Sequence, residues 1–298
     1  MEINYNPNKQ ALALHGDRVN AETKEVQARL LEILKVIDRV CKEHNLTYYL
    51  LCGTMLGAVR HGGFIPWDDD ADIGMPRNDY ETLLAHADEW MPEGYEVVSG
   101  GRTEGYPYPF ARVQETGSTY RMHRSYNFVG GLPIDLFPLD GMVEDCSARR
   151  WHYKRYKFWW KMLYFTHTDP FKHGRGLRSI LTILLRKLLT PALIHRKLDA
   201  VRRQWRIEDT PLIADHDYRP EKGAMPKEWY GKPVPVEFNG CMLMGVAKPH
   251  EYLTHLYGNY MEIPSEIPPQ NYRLLDLNKP WRQYVKEQSQ NTCILHHE

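Results

Sequence analysis

Residues 53–79 read GTMLGAVRHGGFIPWDDDADIGMPRND, and this stretch decides how the chain is understood. Four aspartates, Asp68, Asp69, Asp70 and Asp72, fall within five positions immediately before Ile73. On an extended strand, side chains two apart face the same way, so Asp70 and Asp72 project together. Carboxylates that close repel each other unless a cation or a proton lies between them. Hard oxygen ligands of this kind suit Mg²⁺, which takes one or two protein carboxylates and completes its shell with water and substrate phosphates. A solvated acidic turn is the plain alternative, and the apolar strand that follows argues against it. An EF-hand loop also fails. Asp68, Asp70 and Asp72 fit its positions 1, 3 and 5, but Ile73 stands where the sharp turn needs Gly, and Asp79 where a bidentate Glu is wanted.

Working outward, Gly53-Thr54 closes an apolar, strand-like run, Tyr48-Tyr49-Leu50-Leu51-Cys52, and Gly57 follows four residues on. Small residues at a strand-to-helix turn let backbone N–H groups approach a phosphate, although the GK[ST] of a P-loop is absent. Arg60 and His61 are candidate phosphate contacts, though each alone reads more often as a surface residue. Downstream, Asp135 lies inside the apolar run GLPIDLF, where an unpaired charge is expensive. Its partner is either the same metal or a nearby arginine, and the metal is favoured. Asp140-Gly141 reads as a turn.

Leu30, Leu31, Ile33, Leu34, Ile37, Val40 and Cys41 recur at helical spacing, which predicts a helix over 22–44. A short helix is expected over 56–60, and another opening at Asn78 with Glu81 as a capping box. Strands are expected at 97–98, 110–113, 132–137, 234–236 and 241–246, with a helix over 249–257. Helices and strands mix throughout without an internal repeat, so an α/β or α+β core is expected, with α+β (mixed α/β) preferred. The expected division is a catalytic core over 1–145, a basic, aromatic helical insertion over 146–215, and a C-terminal part over 216–298 that completes the core and ends Pro-rich.

The chain has 298 residues, 42% of them apolar, which is ample for a buried core and excludes a disordered chain. Thirty-eight basic and 38 acidic residues cancel, but not evenly along the sequence. Between Arg149 and Arg206 stand 16 Lys plus Arg against two acids, a net +14, and the remainder carries −14. That stretch also holds Trp151, Phe158, Trp159, Trp160, Leu163, Tyr164, Phe165 and the run Ile180 to Leu189. Basic, aromatic and Leu-rich is the composition of a helix lying on an anionic membrane surface, and equally of a helical subdomain with a solvated basic face. No nucleic-acid-binding motif accompanies the charge, so nucleic acid is not an expected partner. No apolar run approaches the roughly 20 residues of a membrane-spanning helix. The N-terminus lacks the pattern of a secretory signal. Five scattered cysteines without a CxxC pair argue against a disulfide framework or a thiolate zinc site. The expected location is cytoplasmic, peripheral on the inner face of the cell membrane if the basic stretch binds lipid.

The motifs taken together resemble the LicD family, which includes bacterial phosphocholine transferases and, more distantly, fukutin-related ribitol-phosphate transferases. The residues that carry the resemblance are Gly53-Thr54, Gly57, Arg60-His61, Pro66 to Ile73, and Ile134-Asp135-Leu136-Phe137-Pro138-Leu139-Asp140-Gly141, with Tyr252 to Met261 as a family-like ending. The resemblance implies a nucleotidyltransferase-like core sheet with flanking helices. It also implies Mg²⁺ or Mn²⁺ on Asp70, Asp72 and Asp135, the three residues expected to be catalytic. Gly53, Thr54, Gly57, Arg60, His61 and Arg112 would position the phosphates of a CDP-linked donor, CDP-choline foremost. CDP-ethanolamine, CDP-ribitol and CDP-glycerol stay open as donors. A hydroxyl of a glycan or lipid-linked glycan, such as lipopolysaccharide, teichoic acid or capsule, would attack and displace cytidine monophosphate. Asp135, or else His61, would take the hydroxyl proton. A quaternary ammonium needs aromatic faces, for which Trp67, Tyr106, Tyr108 and Phe110 are candidates. Met122 to Phe128 is a further candidate lining of the donor pocket. The alternative is a true nucleotidyltransferase that uses a nucleoside triphosphate on a small-molecule acceptor.

Overall fold

A computed structural model describes residues 6–15, 21–123, 126, 128–171 and 176–294. The helices in chain order are α1 (Pro7–His15), α2 (Ala21–Glu43), α3 (Cys52–His61), α4 (Arg77–Trp90), α5 (Cys146–His167), α6 (Leu177–Leu188), α7 (Pro191–Arg202), α8 (Pro220–Gly223), α9 (Lys227–Tyr230), α10 (Pro249–Tyr257) and α11 (Trp281–Ile294). The strands are β1 (Tyr49–Leu50), β2 (Asp72–Pro76), β3 (Tyr95–Val98), β4 (Ala111–Glu115), β5 (Thr119–Met122), β6 (Pro133–Met142), β7 (Leu212–Ala214), β8 (Ala224–Pro226), β9 (Val234–Phe238), β10 (Cys241–Gly245) and β11 (Tyr272–Asp276). The class is α+β.

The apolar stripe of α2 dictates the first packing event. Val26, Leu30, Ile33, Leu34, Ile37 and Val40 are all buried, in one cluster with the sheet residues Ile73, Met75, Ile134 and Leu136. The main sheet runs β1-β2-β6-β4-β3. Within it β2 and β6 are parallel and the other pairs antiparallel. Strand β6 outruns its neighbours. Its first residues pair with β4, and Asp140 to Met142 pair with β7, which carries β8 beside it. Two ribbons, β9–β10 and β5–β11, stand apart from this sheet. Helices α5 and α7 share a small core of their own around Tyr156, Leu163, Ile194, Leu198 and Val201.

Three local expectations change. Asp140-Gly141 is not a turn but lies within β6, where Asp140 is buried and receives two guanidinium hydrogen bonds from Arg77, 2.7 and 2.6 Å. Paired and hydrogen-bonded, a carboxylate is tolerated inside a strand. Helix α4 begins at Arg77 with Pro76 in the cap position, so there is no capping box; Glu81 instead meets Arg203 at 2.9 Å. Helix α3 begins at Cys52, four residues before the expected start. Of the 122–128 stretch, residues 124, 125 and 127 lie outside the described residues.

Candidate active site

The turn from β1 into α3 is abrupt. Cys52, the first helical residue, has φ of +50°, a conformation uncommon for a residue with a Cβ and often held at functional sites by surrounding contacts. Its N–H donates to the Tyr252 hydroxyl at 3.1 Å. The Thr54 hydroxyl accepts the N–H of Asp72 at 2.8 Å, so the first turn of α3 is tied to the first residue of β2. Gly53 faces the acidic segment, and a Cβ there would stand 3.1 Å from Asp68 Oδ2. Gly57 answers a different need: a Cβ would come within 2.4 Å of the Gly63 carbonyl oxygen, which crosses the helix at that point. From the other side, the Gln27 amide on α2 donates to the carbonyls of Ile65 and Asp68 at 3.0 and 2.8 Å and pins the loop that carries the aspartates.

Held this way, oxygens of Asp68, Asp69 and Asp70 lie within 4.8 Å of one another. Asp72 and Asp135 are register partners on the parallel strands β2 and β6, which sets their side chains on one face of the sheet. Asp68, Asp70 and Asp72 are half-buried and border an accessible surface. Burial and the charge of Asp69 push the Asp68 carboxyl up to about 7. Burial first, then the surrounding carboxylates, push Asp70 and Asp72 well above the usual range; Asp68 leads those neighbours for Asp70, and Asp135 for Asp72. Closely set acids whose ionisation is opposed by one another form a donor set of hard oxygens that fits a divalent cation such as Mg²⁺.

The other expected residues divide. Arg112 is buried and its Nε donates to Asp135 Oδ1 at 2.7 Å, with its guanidinium 3.9 Å above the Tyr108 ring centre. Of the two partners weighed for Asp135, the arginine is in place. Arg60 points away from solvent and donates to the carbonyls of Tyr260 and Glu262, 2.7 and 3.1 Å. Its Nε donates to His61 Nε2 at 2.9 Å, and His61 Nδ1 contacts Asn8 Oδ1 at 2.8 Å, so both ring nitrogens are engaged. Burial and the Arg60 charge push His61 down to about 4. Trp67 is buried edge-on to His15. Tyr106 and Tyr108 are buried in an aromatic cluster with Phe110, Tyr126 and Phe128, and one face of Tyr108 is occupied by Arg112.

The structure adds residues that sequence reasoning missed. Asn271, just before β11, donates from its backbone and side chain to Asp69 and from its side chain to Asp70, the last at 2.7 Å. Asp215, buried at the end of β7, is pushed up to about 6 chiefly by burial, and its charge acts on Asp72. Tyr218 and Tyr257 pair their hydroxyls at 3.3 Å, and the charges of Asp72 and Asp68 act on Tyr257. A signal for the second group existed. Leu212-Ile213-Ala214-Asp215-His216-Asp217 repeats the pairing of apolar strand and Asp-x-Asp seen at 70–75, in reverse order. Nothing local marks Asn271.

Comparison with known proteins matches residues 45–174 to the family model described as LicD/FKTN/FKRP, nucleotidyltransferase domain. Residues 45–174 form a LicD-family domain. The chain is similar to the lipopolysaccharide cholinephosphotransferase LicD of Haemophilus influenzae, 27% identical over 261 residues that cover 82% of this chain and 92% of that protein. A shorter stretch of 46 residues is 41% identical to the human ribitol 5-phosphate transferase FKRP, covering 15% of this chain and 9% of that one. The LicD domain contains the acidic segment, Arg112 and Asp135. Asp215, Tyr218, Tyr252, Tyr257 and Asn271 reach the site from beyond it. Among the described residues, no helix is long and apolar enough to cross a membrane.

Proposed function

We infer that this chain is a metal-dependent phosphotransferase that moves phosphocholine, or a similar phospho-substituent, from a CDP-linked donor to a hydroxyl of a cell-surface glycan such as lipopolysaccharide. The observation that carries the reading is the set of half-buried carboxylates at 68–72, beside Asp135, at the strained start of α3. Similarity to a lipopolysaccharide cholinephosphotransferase over most of the chain supports the choice of substrates.

In this reaction the glycan oxygen forms a bond to the distal phosphorus of the donor, the bond from that phosphorus to the bridging oxygen breaks, and cytidine monophosphate leaves. Asp70 and Asp72, with Asp68 beside them, would hold Mg²⁺, which supplies neutralisation of charge on the phosphate oxygens. Gly53 leaves room for Asp68 against the first turn of α3, whose helix dipole would favour a donor phosphate there. Arg112 orients Asp135 on the sheet face that Asp72 shares. The proton of the attacking hydroxyl goes to a carboxylate rather than to His61, whose nitrogens are engaged by Arg60 and Asn8. Asp135 or Asp215 would take it, and an Asp215→Asn variant that loses the acid limb of the pH profile selects Asp215. For the headgroup, the less buried rings of Tyr218 and Tyr257 near the acids suit a quaternary ammonium better than the enclosed Tyr106 and Tyr108.

The test combines binding and turnover. With Mg²⁺ present, one of CDP-choline, CDP-ethanolamine, CDP-ribitol or CDP-glycerol should raise the melting temperature and release cytidine monophosphate in the presence of a glycan acceptor. Asp72→Asn should then cut turnover by at least about a thousandfold, the scale of losing a group that stabilises transition-state charge. Turnover within a few-fold of wild type refutes the scheme. Release of pyrophosphate from a nucleoside triphosphate would move the chain to the nucleotidyltransferase alternative.

A further inference from the structure

Among the described side chains of helix α6, the buried ones are polar: Ser179 and Thr182 face the protein, and Arg186 donates to the carbonyls of Phe165 and Thr168 at the end of α5. Four of its apolar side chains face outward, Leu177 86%, Ile180 64%, Leu184 51% and Leu188 67% exposed, while Leu185 is half-buried. Spacings of three, four and four residues place these four on one stripe. An amphipathic helix normally buries such a stripe, so the medium this helix meets is apolar. Helix α5, against which α6 packs, exposes Trp151 and Phe158 a heptad apart, with the exposed Lys154 and Lys161 interleaved on that side. Of the fifteen large apolar side chains exposed among the described residues, eight lie between 151 and 188.

The charge selects the occupant. The 149–206 stretch carries a net +14, and of its two acids Asp199 is already bridged to Arg202. A second copy of this chain would set one such surface against another, which like charges oppose. Lys and Arg beside Trp, Phe and Leu on a helix too short to span is the pattern of an element lying in an anionic lipid interface, with lysine ammonium groups reaching up to lipid phosphates.

We propose that α6, together with the adjoining face of α5, docks this chain flat on an anionic lipid surface. Leu177, Ile180, Leu184 and Leu188 enter the boundary of the acyl chains, and Lys154, Lys161 and Lys187 lie at the lipid phosphates. The docking stands whichever group the enzyme transfers.

Flotation of the full chain with vesicles tests it. Vesicles of phosphatidylcholine with about a third phosphatidylglycerol should bind at least tenfold more strongly at low salt than vesicles of phosphatidylcholine alone, and binding should weaken as salt rises. Ile180→Glu with Leu184→Glu should abolish binding while the circular dichroism spectrum and melting temperature stay unchanged, because both side chains are exposed. Lys154→Glu with Lys161→Glu should lower partitioning by roughly fivefold or more per lysine. No binding by the wild-type chain, equal binding to neutral vesicles, or binding indifferent to the Glu pair overturns the proposal. A dimer in sedimentation equilibrium that the Ile180→Glu, Leu184→Glu variant splits also overturns it, by assigning the face to a second copy.

Discussion

Asp68 shows at the level of one residue what setting acids side by side does to stability. Its carboxyl is pushed from the ordinary 3.8 up to about 7, by burial first and then by Asp69. Between those values the folded chain binds a proton that the unfolded chain does not, so this group's contribution to stability falls as pH rises and is fully lost above 7. An Asp68→Asn variant carries no such titration. In the presence of a chelator it should melt close to wild type near pH 4 and become more stable than wild type by pH 8, by on the order of 2 kcal/mol once solvent screening is allowed for. Added Mg²⁺ should stabilise the wild type and shrink the difference. Thermal melts at pH 4, 6 and 8 decide it: a constant or shrinking difference between the two proteins would show that Asp68 is not under this repulsion. Taking the difference between variants removes the opposing effect of His216, His152 and His195, which burial pushes down and which therefore destabilise the fold as pH falls below about 6.5.

Arg60 belongs to the scale of elements. It joins the end of α3 to the segment after α10 by two hydrogen bonds to carbonyls 200 and 202 residues away. The sequence placed it among phosphate-binding residues because a basic side chain close to a Gly-Thr turn is the usual companion of an anion. The packing gives it a partner that sequence distance conceals. Arg60→Lys keeps the charge but not the fork, and should lower unfolding stability by about 2 kcal/mol, the scale of hydrogen bonds made by a charged donor. The donor KM should change less than twofold. A large rise in KM at unchanged melting temperature would return Arg60 to the phosphates. The expected elements themselves fared according to how much of their pattern is local. Helix α2 and α10 lie within a residue or two of expectation because a 3.6-residue stripe is visible in one window. From sequence, strand β6 ends before Asp140, since Asp-Gly is a turn signal, and only the pairing with β7 and the bond from Arg77 extend it.

For the whole molecule, the site is not contained in the LicD domain over 45–174. β7 and β8 extend its sheet, α10 supplies Tyr252 against the α3 turn, and the segment before β11 supplies Asn271 to Asp69 and Asp70. The main core likewise draws on Ile213, Met225, Phe238, Leu253 and Leu256. A fragment of residues 45–174 should therefore lack a cooperative melting transition and Mg²⁺-dependent activity, as read by circular dichroism and cytidine monophosphate release. A cooperatively folding, active fragment would show that the later segments are dispensable.

By itself the sequence determined the class, the acidic centre and the basic aromatic stretch. The reason is that each is written in neighbouring residues: Asp-x-Asp before an apolar strand, a repeating stripe, a run of like charges. The tertiary structure alone decided that Arg112 reaches Asp135, what Arg60 grips, that Asp215 and Asn271 join the acids, and that Leu177, Ile180, Leu184 and Leu188 of α6 face outward. Those depend on strand register and on contacts between positions far apart in the chain, and no local pattern carries them.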